Sequence, residues 1–313
     1  MTAFLDFFKQ NEIDCDTYTI PNHFWGIIAL VVFIYKNRYR NILITMPPFR
    51  KWFLVLLPKV NVIFDIRDGW SIAIRTGYGG SAASRPYRAG IALWVEKSAL
   101  RFSRAFIVCT EGLETYYRDH IGDGDKNKIA LIPNGYSTGS PASRIKQLRV
   151  EDQKLIKAIC VGKFAEYGSK NVEMLLDYLA NKYDKNDIQV TLVGADHEQN
   201  SWTHDYIAQK KYEPRIQIKF LDRVSTEKLL HMIRESDMGI ALVRDPAYEY
   251  GTKAFDYISQ GIPIVNYFEE PNLYTGYFAG FFVNDELPNP PIEEHSRRRI
   301  LSRNRRIILD FLK

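Results

Sequence analysis

The feature that most constrains this chain is an alternation in its second half. A short apolar run ends in a polar or glycine-containing turn, and a longer amphipathic stretch follows. The runs are Ala158–Val161, Val190–Gly194, Ile216–Leu221, Met238–Val243 and Ile262–Tyr267. Runs this short and this uniformly apolar read as strands buried on both faces. Between them, Val172–Asn181, Thr226–Glu235 and Lys253–Gln260 read as helices, the last closed by Gly261. Strand and helix alternating at this rhythm mean an α/β fold with a parallel, doubly wound sheet, and such sheets bind ligands at the carboxyl ends of their strands. No Gly-x-Gly-x-x-Gly follows any of these strands, which counts against a dehydrogenase.

Two strand ends carry chemistry. After Met238–Val243 the chain reads Tyr248-Glu249-Tyr250-Gly251-Thr252-Lys253-Ala254-Phe255-Asp256-Tyr257. Gly251 and Thr252 read as loop and helix N-cap, and the free amides of that helix start make a phosphate site. Glu249 and Asp256 bracket it, placed to hold sugar hydroxyls while the amides hold a diphosphate. Ordinary acidic capping is the plain alternative. After Ala158–Val161 come Gly162 and Lys163, with Lys170 in Ser169-Lys170-Asn171. Two cations at that spacing, in the same half of the chain as the helix start at Thr252, favour a functional role. Taken singly, each is an ordinary surface lysine.

Together these segments resemble the donor site of the retaining GT-B glycosyltransferases of family 4, the group that builds bacterial capsules, O-antigens and exopolysaccharides. That family carries two glutamates eight positions apart, ahead of a Gly and a Pro. Anchored on Gly261 and Pro263, those positions fall here on Tyr248 and Asp256, with Glu249 one residue late. The resemblance implies two Rossmann-like domains facing across a cleft, the C-terminal helix returning to the N-terminal domain. It implies a nucleotide-sugar donor, UDP ahead of GDP, used without metal or other cofactor. Lys163 and Lys170 would grip the diphosphate, Asp256 the ribose, and Glu249 or its neighbour Tyr248 the transferred sugar. Gly162, Gly251, Thr252 and Lys253 would line the diphosphate, and the backbone at Arg223 and Val224 would read the base.

The first half reads as a second α/β unit, with strands at Asn61–Ile66, Ala105–Cys109 and Ile129–Ile132. The Asp65-x-Arg67-Asp68-x-Trp70 box, Thr110-Glu111-Gly112 and Ile132-Pro133-Asn134-Gly135 resemble the family's acceptor domain. That places Arg67 and Asp68 at the cleft mouth, with Asp68 in the catalytic set; a purely structural Asp–Arg pair is the alternative. Family members open on a strand and a Gly-rich loop. This chain opens on a helix-like stretch, Thr2–Asn11, and then a strand-like one, Asp16–Ile20. The expectation is therefore a start codon that lies upstream or a first strand that is absent.

At 313 residues the chain accommodates two domains of ordinary size. The turn-rich run Gly135–Ser143 sets the expected bounds: an acceptor domain at 1–142, a donor domain at 143–295 and a basic amphipathic helix at 296–313. Charge divides unevenly, with 20 Lys/Arg against 12 Asp/Glu over 1–150, 15 against 24 over 151–295, and 7 against 1 in the tail. A basic first half suits an anionic membrane surface. Lys36–Arg40 and Arg50-Lys51-Trp52-Phe53 mix cations with aromatics as interfacial segments do. No nucleic-acid motif accompanies that charge.

Phe24–Tyr35 is apolar but too short for a bilayer core of about 30 Å. It reads as a buried helix, with an interfacial one as the alternative. The tail stripe Ile300, Leu301, Ile307, Ile308, Phe311 and Leu312 either packs on the first domain or faces a membrane. Cys15, Cys109 and Cys160 lack metal or redox spacing and read as reduced, buried thiols. No Asp-x-Asp stands at a strand end of the second half, so no metal is expected.

The expectation is thus a cytoplasmic enzyme on the inner face of the plasma membrane that transfers a sugar to a lipid-linked oligosaccharide. The alternatives are an epimerase of the same fold and an inactive scaffold that binds membranes or partner enzymes.

Overall fold

The computed structural model describes residues 2–19, 24–46, 51–75, 86–137, 141–148, 150–164, 168–283 and 287–313. The chain divides into two compact units, Met1–Pro133 with Arg297–Lys313, and Asn134–Ser296. The break therefore falls before the expected 142/143. The Ala142 amide bonds the Ser259 carbonyl at 2.8 Å and the Lys146 amide bonds that of Gly261 at 2.7 Å, so this stretch runs along the second unit.

In the first unit, β1 (Asn41–Met46), β2 (Asn61–Ile66), β3 (Ala105–Val108) and β4 (Ile129–Leu131) form a parallel sheet in that order. Its helices are α1 (Thr2–Gln10), α2 (Phe24–Lys36), α3 (Trp70–Arg75), α4 (Pro86–Phe102) and α5 (Glu111–His120), with a 3-10 segment at Trp52–Leu56. Parallel neighbours taken in sequence need right-handed crossovers, which puts the 3-10 segment, α4 and α5 on one face. On that face Phe64 meets Phe106 edge-on at 5.9 Å, and Phe106 meets Tyr117 at 5.0 Å.

Two expectations are corrected here. Residues 16–19 form no strand; Tyr18 packs its ring on Phe33 of α2 at 5.0 Å, while Ile20 lies outside the described residues. The helix expected to be buried, α2, buries only the line Gly26, Leu30 and Ile34, half-buries Ile27, Val31 and Phe33 beside it, and leaves Trp25, Ile28, Val32 and Tyr35 exposed.

In the second unit, β5 (Leu155–Val161), β6 (Asp187–Val193), β7 (Ile216–Leu221) and β8 (Met238–Ile240) form a parallel sheet in the order β7-β6-β5-β8. Single bridges from Gly239 to Ile264 and from Ile264 to Phe282 extend it past β8. The expected strand at Ile262–Tyr267 is thus a one-residue contact, and the ladder of Met238–Val243 stops at Ile240. The helices are α6 (Ser169–Lys182), α7 (His197–Asn200), α8 (Trp202–Gln209), α9 (Thr226–Glu235), α10 (Thr252–Ser259) and α11 (Leu273–Tyr277). Two apolar clusters cover the sheet, one around Leu175, Leu179 and Val190, the other around Ile159, Phe255 and Tyr257.

The tail forms two helices, α12 (Arg297–Arg303) and α13 (Arg305–Leu312), where one was expected. Ile300, Leu301 and Ile308 bury against Phe4, Phe7, Ile63 and Ile107 of the first unit. That packing answers the tail's open alternative.

Candidate functional site

Four turns leave the carboxyl end of the second unit's sheet, and short contacts hold them side by side. The Gly162 amide bonds the Val193 carbonyl at 2.8 Å and the Gly194 amide that of Leu221 at 2.8 Å, so the turns after β5, β6 and β7 are stitched in sequence. A Cβ on Gly194 would lie 3.2 Å from Cγ of Arg223, so the Arg223 stem rests on this turn. Val224 packs against the apolar cluster that includes Ile233.

The turn after β8 closes the row. Asn171 in the first turn of α6 donates its side-chain amide to the Val243 carbonyl at 3.1 Å. Gly251 packs on the same residue, its Cβ position lying 3.3 Å from Cγ2 of Val243. Val243 thus joins the start of α6 to the start of α10.

Both starts share a construction. α6 is capped by Gly168 at φ 106° and α10 by Gly251 at φ 65°, a left-handed backbone that favours glycine. Neither cap offers a side-chain acceptor, and neither first turn holds an acid. Three other helices show the reverse: Thr110, Asp196 and Ser225 cap α5, α7 and α9, each followed by first-turn glutamates. The free amides at α6 and α10 add a partial positive charge that no neighbouring carboxylate cancels within the turn.

Lys163 is exposed just past β5, and Lys170 is exposed as the second residue of α6. The sequence reading placed Ser169-Lys170-Asn171 ahead of that helix; they form its first turn. Thr252 is likewise the first residue of α10, and the cap is Gly251 alone.

The acidic residues are both engaged. Glu249 forms an ion pair with Arg244, whose side chain is nearly buried. Asp256 pairs with Lys253 at 3.1 Å. Tyr248 is half-buried in a turn organised by Asp245, whose carbonyl accepts from the Tyr248 and Glu249 amides at 3.0 Å each.

Tyr257 sets the height of α10. Its hydroxyl accepts from the Val161 amide and donates to the Ile240 carbonyl, both at 3.0 Å, bridging β5 and β8 where they part. Gly239 makes room, since a Cβ there would fall 2.3 Å from the ring. Burial holds the phenol well above its ordinary pKa, so it stays protonated to make both bonds. Arg244, Asn171 and the positioning role of Tyr257 were not foreseen. A cation directly after a buried strand and five residues before Glu249 was the available sign for Arg244.

Asp68 belongs to the first unit, half-buried past β2. In its box the ion pair is Arg67 with Asp65, at 2.6 Å. The Arg67 carbonyl accepts from the Cys109 thiol at 3.2 Å, and burial pushes that thiol up to about 12. The amides of Trp70 and Ser71 donate to Glu96 at 2.6 and 3.2 Å, and the Tyr117 hydroxyl donates at 3.0 Å. Glu96 is therefore a buried cap for α3 supplied from α4. Among the described residues, no three His, Cys, Asp or Glu side chains gather as a metal would need.

No protein-family model matches this chain, and no curated protein matches it by sequence. Solved structures do. Sucrose-phosphate synthase from Thermosynechococcus elongatus is 16% identical, with 94% of this chain and 72% of that one covered and a TM-score of 0.58. Anabaena HepE in complex with UDP-glucose is 15% identical, over 98% and 80%, with a TM-score of 0.57. A UDP-forming trehalose-phosphate synthase from Burkholderia xenovorans is 13% identical, over 92% and 78%, with a TM-score of 0.55. At such identities the likeness is one of fold: two Rossmann-like units of the GT-B class.

Proposed function

We propose that this chain is a retaining glycosyltransferase that takes a sugar from a nucleotide-sugar, UDP ahead of GDP, without a metal. One observation carries the reading. Two glycine-capped helix starts, each with a lysine as its second residue and no first-turn acid, meet at Val243 on the carboxyl end of one parallel sheet. That is a cationic cradle for a diphosphate. The fold agrees, and HepE, a protein of like fold, was solved with UDP-glucose. Retention and the bacterial surface-polysaccharide setting rest on the family 4 resemblance.

In the reaction an acceptor hydroxyl oxygen bonds the anomeric carbon as the bond to the diphosphate breaks, and its proton passes to the departing diphosphate. Lys163, Lys170 and the amides of α6 and α10 stabilise the charge that collects on the leaving oxygens. Lys253, paired with Asp256, stands at the same helix start. Asp256 takes the ribose and Glu249 a sugar hydroxyl. The stretch at Arg223 and Val224 faces the base. Asp68 serves the acceptor, a lipid-linked oligosaccharide, at the cytoplasmic face of an anionic membrane.

The test is release of UDP or GDP from a panel of UDP- and GDP-sugars, in EDTA, with and without lipid-linked acceptor. Acceptor-dependent release that falls about 100-fold in Lys163→Ala and Lys170→Ala supports the reading. Sugar epimerised without acceptor, or no turnover at all, would replace it with the epimerase or the scaffold.

A further inference from the structure

Eleven of the thirteen large apolar side chains exposed among the described residues belong to the first unit, and eight of them lie on two helices. On α2, Trp25, Ile28, Val32 and Tyr35 follow at steps of three, four and three, one helical face. Val32 is 57% exposed. On α4, Tyr87, Ile91 and Trp94 do the same, Ile91 at 55% and Trp94 at 60%. The opposite face of α4, Ala92, Val95, Ala99 and Leu100, is already buried, so the outward stripe is surplus to the core.

The two stripes are joined. The Tyr35 hydroxyl donates to the Pro58 carbonyl at 3.0 Å, just past exposed Leu56, and Trp52 at the other end of that 3-10 segment meets Trp94 edge-on at 5.7 Å. Charge follows the stripes. Across residues 24–46, 51–60 and 86–104 the sole acid is Glu96, which is buried, against nine cations that include Lys36, Arg38, Arg40, Lys59, Lys97 and Arg101. Asp14 and Asp16 precede α2, and Asp16 accepts from Tyr39. No helix of the described residues is long and apolar enough to cross a membrane.

We propose that this face, the outer stripes of α2 and α4 joined through Trp52–Leu56, is the docking surface for an anionic lipid bilayer. It deepens the membrane location proposed above and stands independently of the donor site. The apolar stripes enter the headgroup boundary side-on, the aromatic rings sit at the interface, and the surrounding lysines and arginines meet the lipid phosphates. A protein partner would be an alternative cover, but a cationic rim almost without acid favours lipid.

The test is flotation of the full chain with phosphatidylcholine vesicles, with and without about 30% phosphatidylglycerol. Wild-type protein should float with the anionic vesicles and be released by about 0.5 M salt. Val32→Glu with Ile91→Glu should lower the bound fraction at least about tenfold. Both positions are already exposed, so the fold tolerates them. Leu155→Glu, an exposed apolar site of the second unit, should change nothing. Wild-type protein that ignores anionic vesicles overturns the proposal, as does a double variant that floats like wild type. UDP binding is read in parallel: its absence with flotation intact would sink the donor reading and leave this surface standing.

Discussion

Both units rest on a four-stranded parallel sheet, yet they dispose of their apolar residues in opposite ways. In the second unit the apolar faces of α6 and α10 turn onto the sheet, and Leu155 and Leu287 are the large apolar side chains left exposed among the described residues. In the first unit α2 and α4 are apolar on the inward face and again on the outward one. A parallel sheet needs cover on both faces, and one apolar stripe per helix supplies it. A second stripe points to a second apolar environment. Charge divides the same way, since the second unit is acidic in sum and concentrates lysines at two helix starts, whereas the first is basic across its apolar face.

The largest expected effect separates the two units directly. Tyr257→Ala should lower the second unit's stability by about 4 kcal/mol, from lost packing and two broken backbone bonds. Denaturant melts followed by circular dichroism should then resolve an early transition for that unit while the first unit's stays in place. Glu96→Ala makes the mirror test. It strips the Trp70 and Ser71 amides and the Tyr117 hydroxyl of a buried acceptor, and should cost the first unit about 2–3 kcal/mol.

A smaller effect is pH-dependent. His295 is packed on the Phe281 and Tyr277 rings at 4.9 and 5.7 Å, and burial holds its pKa below the usual value. The unfolded chain binds this proton more readily, so stability is full above a pH of about 6.5 and falls as pH drops from there toward the folded value. The loss should be about 1 kcal/mol or less and vanish in His295→Phe, read from melts across that range. The smallest effect is the sharpest contrast: Val32→Glu should move thermal stability by less than about 0.5 kcal/mol while depleting vesicle binding, because its side chain has no core role to lose.

The second unit was the more legible from sequence because its strands, buried on both faces, are unbroken apolar runs that end in glycine turns. Lys163, Lys170, Glu249 and Asp256 could be put near strand ends on that pattern alone. What sequence could not give was partnership: that Asn171 meets Val243, or that Tyr257 bridges two strands, depends on contacts across long gaps in the chain. In the first unit β1 went unread, since Asn41 and Thr45 interrupt its apolar pattern. Apolar content gave no direction to α2 either, so its helix was foreseen and its exposure was not. Arg50 of the interfacial box lies outside the described residues.

The central claim is that the joined starts of α6 and α10 hold a diphosphate. Calorimetric titration of UDP and GDP in EDTA, on wild-type protein and on Lys170→Ala, tests it most directly. The account predicts metal-independent binding of at least one of them, weakened by about 1.5–3 kcal/mol in the variant with its melting unchanged. No binding of either nucleotide, or equal affinity in Lys170→Ala, would contradict it.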